Sequence, residues 1–79
     1  MVFSSLGVDA VATVKFEEAL KKFPYDADTH NHLGILYFEQ KDFHKAEEKF
    51  KKALTLRPKD GEIYYNLGNL FKEQNSLRK

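Results

Sequence analysis

His30-Asn31-His32-Leu33-Gly34-Ile35-Leu36-Tyr37 carries the reading of this chain, and Tyr64-Tyr65-Asn66-Leu67-Gly68-Asn69-Leu70-Phe71 repeats its pattern 34 residues later. A glycine inside a well-patterned helix costs about 1 kcal/mol relative to alanine. Gly34 therefore points to close packing: with no Cβ, it lets the backbone of another helix approach. A second such glycine at a fixed spacing points to a repeated helical unit.

The identities at this offset extend well beyond the glycines. Ala12 matches Ala46, Lys15 matches Lys49, Phe16 matches Phe50, Ala19 matches Ala53 and Leu20 matches Leu54. Pro24 and Pro58, Asp26 and Asp60, Leu33 and Leu67, Leu36 and Leu70, Glu39 and Glu73, and Gln40 and Gln74 follow in the same register. Two unrelated amphipathic helices would not share proline and glycine punctuation as well. A constant period of about 20–50 residues marks a solenoid.

In chain order the spacing predicts four helices. The first runs from Gly7 to Phe23, with Ala12, Phe16, Ala19, Leu20 and Phe23 on one stripe. Ser5 or Asp9 is its expected cap, and Pro24 stops it. Asp26 caps a second helix over Ala27 to Lys41, with His30, Leu33, Gly34 and Tyr37 as its stripe. Asp42 caps a third over Phe43 to Leu56, with Phe43, Ala46, Phe50, Ala53 and Leu54 inward, and Pro58 ends it. Asp60 caps a fourth over Gly61 to Asn75, with Tyr64, Leu67, Gly68 and Phe71 as its stripe. No stretch alternates as a strand would, so the class is all-α. Glu17 with Lys21, Glu18 with Lys22, Glu47 with Lys51 and Glu48 with Lys52 read as i,i+4 pairs on solvated faces.

Seventy-nine residues make one small domain. Seven Phe and four Tyr supply core bulk without Trp, and a net charge of +1 gives no sign of a nucleic-acid binder. Lys45, Lys49 and Lys52 are interleaved with glutamates, which argues against a phosphate-binding stripe. The absence of cysteine excludes disulfides and thiolate sites. The longest mainly apolar run, Leu33 to Phe38, is too short to cross a bilayer, and residues 1–7 are no secretory signal. A cytoplasmic setting without membrane contact is the expectation.

On these residues the chain resembles the tetratricopeptide repeat family, whose unit is a pair of antiparallel helices, A and B. With Ala27 as the first position, Leu33, Gly34, Tyr37, Ala46, Phe50, Ala53 and Pro58 fill its signature, and His30 stands where a large aromatic is usual. The resemblance implies a right-handed superhelical stack of about four helices within one domain, residues 1–79. Residues 8–26 would be helix B of a partial repeat, 27–60 a complete repeat, and 61–79 helix A of another partial repeat. In this family the outward residues of helix A line a concave groove that binds peptides or partner helices. By position these would be Asp28, Asn31, His32, Ile35, Phe38 and Glu39, then Glu62, Tyr65, Asn66, Asn69, Lys72 and Glu73. One subclass clamps a C-terminal carboxylate with lysine, arginine and asparagine. Here only Asn66 fits, while Asn31 and Glu62 occupy cationic positions, so that reading fails on charge.

Roughly three repeats normally make a stable array, and this chain has about two. Phe16 on the first helix and Leu67, Leu70 and Phe71 on the last are left in want of cover. Two expectations follow: a piece of a longer array, or a homo-oligomer in which the last helix of one molecule pairs with the first of another. The primary expectation is a non-enzymatic module for a protein or peptide ligand, with self-assembly as the alternative.

A metal- or nucleic-acid-associated domain is the alternative of another class. His30 and His32 are two apart and leave a helix roughly 160° from each other, and His44 lies on the next helix. His30 reads better as a partly buried residue between helices. No nucleophile–base pair, phosphate loop or carboxylate dyad is present, and neither cofactor nor catalytic residue is expected.

Overall fold

The computed structural model describes residues 2–77, with side chains for residues 10–76. Its elements are α1 (Val2–Lys22), α2 (Ala27–Glu39), α3 (Phe43–Leu56) and α4 (Gly61–Leu77). There is no strand among the described residues, and the chain is all-α. α1 begins five residues earlier than the spacing predicts. The positions of Ser5 and Asp9 therefore lie within the helix and not at its start.

The other expected caps are in place. Asp26 has extended backbone angles and its carboxylate accepts from the Asp28 N–H at 3.1 Å. This satisfies one of the orphan donors at the start of α2. Thr29 Oγ1 adds a 2.9 Å bond to the same carboxylate, which holds Asp26 below its ordinary pKa of 3.8. Asp42 accepts from Lys45 N at 3.4 Å and Asp60 from Glu62 N at 3.0 Å. α2 stops at Glu39, two residues before the expected Lys41. Lys41 adopts a left-handed backbone, φ 67°, while Asp42 N donates to Tyr37 O and Lys41 N to Phe38 O. That is a Schellman stop with lysine in the place usually held by glycine.

α2 and α3 form the tightest pair, α1 packs on α2, and α4 packs on α3 with a short contact to α2. The core contains Leu20 from α1, Leu33 and Tyr37 from α2, Ala46 and Phe50 from α3, and Leu70 from α4. Phe50, Leu33, Ile63 and Leu70 are sealed from solvent, each contributing about 1.5–3 kcal/mol of burial.

At Gly34 the close approach is real, but its partner is a side chain and not a helix backbone. A Cβ there would lie 2.5 Å from Phe50 Cε1 and 2.6 Å from Cδ1. The Phe50 ring of α3 occupies the space that the glycine leaves.

On α4 the buried face differs from the expected one. Ile63 and Leu70 are enclosed and Leu67 is half-buried, whereas Tyr64 and Phe71 are exposed. The covered Ile63–Leu70 face of α4 is offset by one residue, about 100°, from the exposed Tyr64–Phe71 face. Phe23, expected on the α1 stripe, is also exposed at the helix end.

Candidate functional site

The outward faces of α2 and α4 lie side by side and are tied where Asn66 Nδ2 donates to Asn31 Oδ1 at 3.0 Å. Asn31 is buried and Asn66 half-buried. Both amides are thus engaged in holding the two helices together, which limits what Asn31 and Asn66 can offer a ligand. The sequence reading assigned Asn66 to a bound peptide because a helical wheel cannot show that a second asparagine stands opposite.

Around this tie the remaining residues fall on two stripes at helical spacing. On α2, Ile35 and Phe38 are half-buried and pack against the core, while Asp28 and Glu39 are exposed. Phe38 is held by a tilted ring contact with Phe43, centroids 5.8 Å apart. On α4, Tyr65 stands out at 70% exposure, Asn69 is half-buried, and Glu62 and Lys72 are exposed. Asp28 is met by Arg57 at 2.8 Å, and Glu73 by Lys41 at 3.8 Å. These are surface pairs of small energetic weight, but they neutralise two of the four carboxylates. Glu39 and Glu62 then outweigh Lys72, leaving a mildly acidic face with apolar contact from Ile35, Phe38 and Tyr65.

His32 is exposed and falls at helical spacing between Asp28 and Glu39. Its ring stacks on Phe16 of α1, centroids 5.5 Å apart and planes 17° from parallel. The same contact changes the reading of Phe16: it is half-buried, packed on the core and covered on one flank. Leu70 is sealed and Leu67 half-buried against the core. Of the four residues expected to lack cover, Phe71 is the one left exposed, at 41%. The other three meet the neighbouring helices of their own chain.

A polar cluster that sequence reading missed joins three helices. Tyr37 Oη donates to Glu17 Oε2 at 2.6 Å, and Lys49 Nζ lies 3.5 Å from Glu17 Oε1. Lys45 Nζ sits 5.5 Å from the centre of the Tyr37 ring. Burial, reinforced by the bond to Glu17, pushes the Tyr37 hydroxyl up from 10.0 to about 12. Glu17 is therefore not the outer-face partner of Lys21 that its spacing predicts. Glu47 and Lys51 do pair, at 2.9 Å.

His30 is buried, and its Nε2 donates to Pro24 O at 2.9 Å while Nδ1 has no partner. The imidazole thus spans from α2 to the turn before it. Among the described residues no three His, Cys, Asp or Glu side chains gather as a metal site, and no helix is long and apolar enough to cross a membrane.

Two family models, each described as a tetratricopeptide repeat, match the chain, one over residues 27–60 and the other over residues 49–79. No curated protein matches it.

Proposed function

The chain belongs to the tetratricopeptide repeat family, and from that premise we propose that it binds a protein segment across the paired faces of α2 and α4. Repeats of this family mediate protein–protein interaction and are generally non-enzymatic. In this reading residues 27–60 form the complete unit, flanked by a helix B at 8–26 and a helix A at 61–79.

The observation that carries the proposal is the Asn66–Asn31 tie. It holds the two A-type helices in a preset relation, so the face need not be ordered at the moment of binding. Ile35, Phe38 and Tyr65 offer apolar contact, and Asn69 offers both a donor and an acceptor to a peptide backbone. Glu39 and Glu62 favour a basic flank on the ligand. The partner is thus a segment with one apolar anchor beside lysine or arginine.

Selection from a displayed random-peptide library against the immobilised chain tests this. Enriched peptides should be basic with an apolar anchor. Tyr65→Ala or Asn69→Ala should weaken them about tenfold, equivalent to about 1.4 kcal/mol. Peptides that bind both variants as tightly as the original chain would place the site elsewhere.

A further inference from the structure

The α2–α3 pair shows how helices A and B close in this chain, and the same two surfaces recur apart from each other. On α2, His30, Gly34 and Tyr37 are all buried. Their counterparts 34 residues on are Tyr64, Gly68 and Phe71, which are 54% exposed, exposed and 41% exposed. A Cβ on Gly68 would meet nothing within 4 Å. Among the described residues nothing occupies this face.

The surface that closes on Gly34 is Ala46, Phe50 and Ala53, each sealed. Its counterpart 34 residues earlier is Ala12, Phe16 and Ala19 on α1, all three half-buried. α1 thus carries the same small–aromatic–small face, covered on one side by α2 and open on the other. The chain holds a notch without its ring at one end and a ring without its notch at the other.

A paired exchange says what fills the notch. In the closed pair a lysine lies over a tyrosine ring: Lys45 over Tyr37. The counterparts are Val11 and Phe71, so the cation and the hydroxyl are lost together and both replacements are apolar. Val11 is 56% exposed and Phe71 41%. Each is an unexplained apolar surface residue within its own molecule, and each is the match of the other across two molecules. Apart from α3, α1 is the segment of this chain with that register.

We propose that α4 of one copy receives α1 of a second copy, with Phe16 seated over Gly68 and Val11 against Phe71. The contact is heterologous, so each molecule has one donor end and one acceptor end, and assembly runs head to tail or closes into a ring. It uses a different face from the peptide-binding one, leaving Tyr65 and Asn69 outside the contact.

Two substitutions at positions with free space block one end each. Val11→Glu charges the α1 end, and Gly68→Arg fills the α4 notch. Sedimentation of the unaltered chain from about 10 µM to about 1 mM should show a mean mass that climbs past twofold, in the range of a weak protein contact. Each variant alone should remain at the mass of one chain, with unchanged circular dichroism. An equimolar mixture should rise to twice that mass and stop, because the one competent end of each variant is used and both ends left over are blocked. An unaltered chain that stays monomeric throughout would overturn the proposal. So would variants that associate as well as the original, or a mixture that fails to pair.

Discussion

Gly34 and Gly68 occupy the same register in α2 and α4, yet they sit in opposite surroundings. Gly34 has the Phe50 ring within 2.5 Å of where its Cβ would be, while the space over Gly68 is open. The difference teaches that helical register does not by itself bury a face. α2 is flanked by α1 on one side and α3 on the other, so the stripe of His30, Gly34 and Tyr37 is covered. α4 meets α3 and the edge of α2, and it keeps Tyr64, Gly68 and Phe71 outward.

The largest expected effect on this comparison is at Gly34. Alanine there must displace a sealed aromatic ring whose three nearest atoms all lie within 3 Å of the new carbon. Overpacking of this kind costs about 1–3 kcal/mol, and the gain in helix propensity offsets only part of it. Gly34→Ala should lower the denaturant midpoint by the equivalent of about 2 kcal/mol, measured by urea unfolding. A neutral result would mean that the ring is not held in the Gly34 notch.

The second effect separates Tyr37 from its counterpart Phe71. Tyr37→Phe removes the 2.6 Å bond to Glu17 and should cost about 1–1.5 kcal/mol. The hydroxyl also makes the fold alkali-sensitive. Its folded-state pKa is raised, from 10.0 to about 12, so the folded chain holds a proton that the unfolded chain gives up first. Stability from this group is complete below pH 10 and is lost as pH rises towards 12. Urea midpoints across that window should fall for the original chain, and Tyr37→Phe should remove this group's contribution to the fall.

The smallest effect has the opposite sign. At a concentration that keeps the chain monomeric, Gly68→Ala places a methyl in open space, so only helix propensity acts, and the chain should gain about 0.5–1 kcal/mol. The same substitution at the two glycines would then move stability in opposite directions. A loss at Gly68 would show that its face is already covered, and would sharpen the case for a contact there.

Much of this architecture is legible in the residues. Asp26, Asp42 and Asp60 mark helix starts because a short carboxylate satisfies nearby backbone donors. Pro24 and Pro58 mark stops because the residue before proline avoids the helical region. The α3 stripe of Ala46, Phe50 and Ala53 is visible from spacing, and all three are sealed. The candidate binding face is legible in outline through Ile35, Phe38, Tyr65 and Asn69. The stacking of exposed His32 on Phe16 is not legible, because spacing along α2 says nothing of a ring on α1.

Local sequence alone determined the four helices, their breaks and the 34-residue register, because caps, prolines and apolar spacing act within a few residues. Tertiary structure decided which of two adjoining apolar stripes on α4 is covered, Ile63 and Leu70 in place of Tyr64 and Phe71. It decided that Glu17 turns to Tyr37 and Lys49, and that Asn66 binds Asn31. Those outcomes depend on groups brought together from residues 20 to 35 positions apart. Periodicity along one helix carries no information about what stands across from it.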